Sequence, residues 1–288
     1  MPLAHVMKLT DFTFTEIEFP APVRTAVSLV PSITETAFAL GAGGALAGRT
    51  RYCIAPAPAV RAIENVGGTK DPDLARILAL QPGLVLANKE ENRREDILHL
   101  REQGLAVWVD YTTTVEEGLS LVSTLGRIFG RETEADAIVR HGARAVVAAR
   151  ERARVLAAQN ELRLAPRPRP LPGVVAFIWK DPWMAVGRET YAGDLISTLG
   201  GGHLLKDDAE RYPVLEPRRV AELEPDIVLF PDEPFHFKDK HARAWREAFP
   251  HAPASRENRL RLCSGQDLCW PGARTPGAIE RLAGLCAW

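Results

Sequence analysis

The sequence predicts an α/β fold of two Rossmann-like α/β lobes joined by one long connecting α-helix. Three observations predict it. Short β-rich runs alternate with amphipathic helical patterns, the order that builds a parallel sheet covered by helices. One helix–Pro–strand module occurs twice, in the same relative order. Between the two copies runs a long helical pattern without a proline. The expected boundaries are a lead-in over 1–22, an N-terminal lobe over 23–131, a connecting helix over 132–164 and a C-terminal lobe over 165–288.

The first lobe opens on the β-rich run RTAVSLV, residues 24–30. In PSITETAFALG, Pro31 and Ser32 make the turn, Ser32 or Thr34 can cap a helix, and Ile33, Ala37, Phe38 and Leu40 recur at helical spacing before Gly41. DPDLARILALQPGLVLAN reads as a helix stopped at Pro82, then a buried strand over Leu84–Ala87. EDILHLREQGLAVWVDY gives a further helix, a stop at Gly104 and a strand over Leu105–Val109.

From Thr133 to Leu162 the chain is rich in alanine and arginine, and a helix of that span would be about 45 Å long. The proline-rich APRPRPLPG follows as a stiff connector. In the second lobe VVAFIW is a strand and ETYAGDLISTLGGG repeats the helix-then-glycine logic. RRVAELEPDIVLF repeats ARILALQPGLVLA, so that Arg76, Leu80, Pro82, Val85 and Leu86 correspond to Arg219, Leu223, Pro225, Val228 and Leu229. Leu40-Gly41 corresponds to Leu199-Gly200.

At 288 residues the chain suits two domains, and its 46% hydrophobic content suits a globular core. A formal net charge of −1 leaves no global field to hold nucleic acid or an anionic membrane. No stretch approaches the ~20 apolar residues of a membrane span. Asp11, Glu16 and Glu18 interrupt the start of the chain, which lacks the apolar core of a secretory signal. As it stands the sequence predicts a cytoplasmic protein, and a periplasmic or cell-envelope one if a leader has been removed. Cys53, Cys263, Cys269 and Cys286 match no zinc spacing and are expected to be reduced thiols.

The elements SLVPSITETAFALG, VGGTKDPDLARILALQPGLVLA and RRVAELEPDIVLF resemble the periplasmic binding proteins for cobalamin, haem and ferric siderophores, over about residues 24–285. They are also similar to a signal-less, cobalamin-binding branch of that superfamily. The resemblance implies two α/β lobes, one rigid connecting helix, and a ligand in the cleft between the lobes. It implies that aromatic side chains of the cobalamin receptors fall on Tyr52, Tyr212 and near Trp270, while two receptor tryptophans are replaced by Thr69 and Asn88.

The candidate ligand-binding residues are Arg51, Tyr52, Lys70, Lys89 and Glu90 in the first lobe, and Trp179, Trp183, Arg211, Tyr212, Phe235, Trp270 and Arg274 in the second. They cluster in loops such as GGTK, NKEENR, WKDPWM, ERYP and PDEPFHF, which follow predicted strands or turns. Ligands of open α/β sheets lie outside the carboxyl ends of the strands. Aromatic side chains there give flat contact area to a macrocycle or catechol. Arginine and lysine pair with carboxylate or phosphate groups. Packing in a core is the plain alternative for each aromatic, and a solvated helix start for Lys89-Glu90-Glu91.

A metal receptor needs several converging histidines and carboxylates. Of the seven histidines only His236 and His241 lie near a predicted site, and His236 is the weak candidate for an axial ligand. No nucleophile elbow, P-loop or dinucleotide fingerprint is present. The expectation is therefore a monomeric, non-enzymatic solute-binding protein for a cobalamin-like, haem or iron-siderophore chelate, with no intrinsic cofactor. The alternative is a cytoplasmic enzyme, trafficking protein or sensor acting on a tetrapyrrole or metal chelate.

For a partner, the resemblance implies an ABC permease that meets an acidic residue on the outer helix of each lobe. The matching positions here are Ala75 and Arg218, with Glu216 and Glu222 near the second. Docking in the usual way is not expected.

Overall fold

The structure, a computed structural model, describes residues 5–161, 169–205 and 210–286. Leu162 and the first four residues of the proline-rich connector, 165–168, lie outside the described residues. The chain divides into two compact units. One takes in the chain through Thr112, then Glu116–Arg140 and Pro271–Arg274; the other takes in Thr113–Val115, His141–Trp270 and the chain from Thr275.

The first unit begins with an antiparallel hairpin, β1 (His5–Thr10) and β2 (Glu16–Ala21). These residues were expected as a lead-in. They alternate exposed and buried along β2, and Ile17 and Phe19 enter the unit's core. The main sheet holds β3 (Ala26–Ser28), β4 (Leu46–Arg49), β5 (Glu64–Asn65), β6 (Leu84–Asn88) and β7 (Val107–Asp110). The strands are parallel, in the order β5-β4-β3-β6-β7. Helices α1 (Pro31–Ala39), α2 (Leu74–Ala79), α3 (Arg94–Glu102) and α4 (Val115–Phe129) connect or follow them. β6 and β7 are buried throughout, which explains why LVLA reads as a continuous apolar run rather than an alternating one.

Neither Ser32 nor Thr34 caps α1. Pro31 opens the helix behind the N-cap residue Val30, which makes no side-chain cap. Both hydroxyl residues thus fall inside the first turn, where Thr34 Oγ1 donates to the Val30 carbonyl at 3.0 Å. Asp73 does cap α2, accepting from the Arg76 amide at 3.0 Å.

α5 (Glu132–Glu161) is a single uninterrupted helix of 30 residues, in accord with the sequence pattern. In the second unit the parallel strands β8 (Gly173–Trp179), β10 (Gly202–His203), β11 (Ile227–Pro231) and β12 (Leu260–Cys263) take the order β10-β8-β11-β12. The short β9 (Met184–Ala185) pairs antiparallel with β8. The helices are α6 (Tyr191–Thr198), α7 (Pro217–Glu222), α8 (Asp239–Ala248), α9 (Pro253–Arg256), α10 (Gly265–Cys269) and α11 (Thr275–Arg281).

The repeat is visible in the backbone as well as in the sequence. Gln81 and Glu224, each just before the matched proline, adopt φ of 45° and 53°. Gly41 and Gly200, each two residues past the end of its helix, α1 and α6, adopt 71° and 90°. The residue after the matched proline donates to the residue before the first strand's matched position in both units: Gly83 to the Thr25 carbonyl at 2.9 Å, Asp226 to that of Gly173 at 2.8 Å.

Candidate functional site

In each sheet the chain runs outward from its first strand and then restarts on that strand's other side. The switch falls between β3 and β6 in the first unit and between β8 and β11 in the second. Loops at the carboxyl ends of those strands are where such sheets bind ligands.

In the first unit, the turn after β4 carries Arg51 and Tyr52. The Arg51 guanidinium sits 5.3 Å from the Tyr52 ring centroid and pairs with Asp71 at 2.6 Å. Tyr52 remains 52% exposed. The Asp71 pairing raises Arg51 and holds the Asp71 carboxyl below the usual range. Lys70 Nζ donates to the Glu90 carbonyl at 2.6 Å, tying the Gly67–Asp71 loop to the segment after β6. Lys89 turns the other way: its ammonium lies 4.2 Å from the centroid of Tyr111 and 4.6 Å from that of Phe12.

Beneath these loops lies a buried polar lattice that the sequence did not disclose. Asn88 Oδ1 accepts from the Glu90 and Glu91 amides at 2.8 and 3.3 Å, and its Nδ2 donates to Asp110 at 3.2 Å. Asn92 Oδ1 accepts from the Asn88 amide at 2.8 Å, and Nδ2 donates to the carbonyls of Leu29 and Thr69 at 3.3 and 3.1 Å. Burial pushes the Asp110 carboxyl up to about 6, against donation from Thr112 and Asn88. The only sequence signal was polar residues closing otherwise apolar strands.

Arg274 belongs to the first unit rather than to the second. Residues 271–274 return to it, and Arg274 makes a two-point pair with Glu35, with Nε to Oε2 at 2.8 Å. The Ala273 amide also donates to Thr36 Oγ1 at 3.0 Å.

In the second unit, Trp183 and Phe235 are partly buried against the core around Phe177 and Phe237. Trp183 stacks on Phe237 at 5.8 Å, and Phe235 meets Phe237 at 4.7 Å. Trp179 packs edge-on against Phe235 at 5.8 Å and stays 41% exposed, so it is the aromatic this cluster presents to solvent. Arg211 donates to the Glu189 carbonyl and Tyr212 is half-buried. Trp270, at 7% exposure, is a buried residue rather than an open platform. The loops after β11 and β12 are locked together: the Gly265 amide donates to Asp232 at 2.7 Å, and a Cβ at Gly265 would lie 2.3 Å from the Glu233 carbonyl oxygen.

His236 is exposed and bonded to the Asp232 carbonyl at 3.1 Å. Among the described residues no group of three His, Cys, Asp or Glu side chains could hold a metal ion. His241 Nδ1 accepts from the Lys238 amide at the start of α8, at 2.9 Å. The four cysteines are free, and burial raises Cys263 and Cys286 to about 12.

Two Rossmann-type units, each with its loops gathered at a switch point, define a two-lobed α/β solute-binding protein. Residues 27–265 match the periplasmic binding protein family, and the chain belongs to it. It is 24% identical to the vitamin B12-binding protein of Vibrio parahaemolyticus over 92% of this chain and 89% of that one. Among solved structures, the periplasmic vitamin B12 binding protein of Vibrio cholerae superposes with a TM-score of 0.75, at 21% identity, over 92% of this chain and 97% of that one. A periplasmic haem-binding protein of Pseudomonas aeruginosa gives a TM-score of 0.75 at 21% identity, over 92% of each chain. The two-lobed α/β fold expected from the sequence is the fold these structures share. The family is one of binding proteins, described as periplasmic. Among the described residues no helix is long and apolar enough to cross a membrane.

Proposed function

We propose that this chain captures a cobalamin-like, haem or iron-siderophore chelate, using the loops at the carboxyl ends of its parallel strands. The observation that carries the reading is the pair of solvent-exposed aromatics at those strand ends, Tyr52 in the turn after β4 and Trp179 as the last residue of β8, at 52% and 41% exposure. Large rings left in water there cost free energy in the free protein and regain it against a flat ligand. The ligands named for the relatives support the same class. The chain acts as a binder without an intrinsic cofactor.

A second reading concerns the partner. Ala75 on α2 and Arg218 on α7 are both exposed, and neither offers a carboxylate to a permease. That favours a binding or trafficking role apart from the usual transporter.

The test is titration of the purified protein with haemin, cyanocobalamin and a ferric siderophore, followed by ligand absorbance and tryptophan fluorescence. One class should saturate at one equivalent with a Kd below about 10 µM. Tyr52→Ala and Trp179→Ala should each weaken it about two- to tenfold, the worth of a stacked ring. Absence of saturable binding to all three would overturn the reading.

A further inference from the structure

We infer that Lys89, Phe12 and Tyr111 form a subsite for an anionic substituent of the bound chelate, a carboxylate or phosphate; the inference rests on the chelate-binding reading above. Among the candidate cations, Arg51 is taken by Asp71, Arg274 by Glu35, Lys70 by the Glu90 carbonyl and Arg211 by that of Glu189. Lys89 is different. Its exposed ammonium is held by two ring faces and, among the described residues, pairs with no carboxylate. Ring faces attract the cation without neutralising it and without consuming its N–H groups as an oxygen acceptor would. A lysine side chain loses up to about 2 kcal/mol of rotamer freedom when it is ordered. Here the rings impose that order before a ligand arrives, so an anion meets a fixed charge.

The location fits. Lys89 is the first residue beyond β6, one of the two strands flanking the first unit's switch point, and Tyr111 is the first beyond β7. The Lys89 amide donates to the Asp110 carbonyl at 2.9 Å, which fixes the lysine's backbone at that edge. Phe12 comes from the hairpin tip, outside the residues that match the family. Its ring lies 4.2 Å from that of Tyr111, and its amide donates to the Val109 carbonyl at 3.1 Å. The adjoining Asp11 anchors the tip: its fully buried carboxylate accepts from the amides of Thr13 and Val109 at 2.8 and 3.2 Å and pairs with Arg101. Phe12 is 38% exposed, so it serves as a wall of the subsite rather than as core. The hairpin thereby becomes part of the ligand site.

The experiment compares matched probes on the full chain: haemin with its dimethyl ester, a cyanocobalamin monocarboxylate with cyanocobalamin, and ferric citrate with a neutral ferric hydroxamate. For the pair that binds, the wild type should prefer the acidic member by about tenfold, the scale of one charge-assisted contact. Lys89→Gln should abolish that preference, with the loss falling mainly on the acidic member. Phe12→Leu should cut the preference about threefold and reduce the upfield ring-current shift of the Lys89 side-chain protons, leaving the part that Tyr111 contributes. Equal binding of the two members by the wild type, or an undiminished preference in Lys89→Gln, would overturn the subsite while leaving chelate binding intact. Failure of every probe to bind would remove the chelate-binding reading and the subsite with it.

Discussion

Asp110 shows how a single buried group can set the pH response of the first unit. Its carboxyl titrates near 6 in the fold because burial penalises the charged form, against a reference value of 3.8. The folded state therefore holds this proton more tightly than the unfolded chain does. The stability it contributes is fully present below about pH 4 and is lost as pH rises through about 6, by up to about 3 kcal/mol. Chemical denaturation between pH 4 and 7 should show this decline, and Asp110→Asn should flatten it and raise stability at pH 7. An unchanged slope in the variant would assign the pH dependence elsewhere. Substitutions at the candidate site need equal attention to burial. Trp270→Ala would open a cavity at a buried site and cost about 3–5 kcal/mol, whereas Tyr52 and Trp179 can be truncated without disturbing a core.

At the scale of elements, the two helix–Pro–strand modules make a matched internal control. Gln81 and Glu224 take left-handed backbone immediately before Pro82 and Pro225, with φ of 45° and 53°. A side chain in that region costs about 1 kcal/mol relative to glycine. Gln81→Gly and Glu224→Gly should therefore each stabilise the chain, by a few tenths to about 1 kcal/mol in denaturant unfolding. Destabilisation in both would mean that the side chains make contacts outweighing the strain. These modules were legible in the sequence because helix period, proline stop and apolar strand are local signals. The hairpin was less legible. Its alternation of apolar and polar residues is short, and it lies ahead of the repeated plan, yet Phe19 and Ile17 belong to the first core. The loops of the site were legible as positions, since they follow strands. Their partners were not. Glu35 and Arg274 stand 239 residues apart, and no local pattern announces a pair at that separation. Trp183 and Phe235 have the composition of a ligand platform, but their neighbour Phe237 draws both into packing.

At the scale of the whole molecule, the surface charge of the outer helices bears on whether the chain hands its ligand to a permease. The resemblance leads to an expectation of one carboxylate on each outer helix. On α2 the matching residue is Ala75, and its neighbour Arg76 is engaged by Glu64 and Asp73 at 3.6 and 3.4 Å. On α7 the matching residue is Arg218, whose side chain is 86% exposed. Glu222 could have stood in for the lost charge, but it lies 3.6 Å from Arg218 and 3.1 Å from Arg219, so two arginines already share it. A permease surface presenting arginines would meet no compensating anion on α2 and a like charge on α7. Like charges opposed at an interface can cost several kcal/mol. The expected outcome is that the chain fails to retain a cobalamin-type permease in a pull-down at about 0.15 M salt, where exposed charges are only partly screened. Ala75→Glu combined with Arg218→Glu should restore measurable binding, with a steep dependence on ionic strength. Saturable permease binding by the unaltered chain, abolished by Glu216→Arg or Glu222→Arg, would show instead that a neighbouring carboxylate has taken over the role.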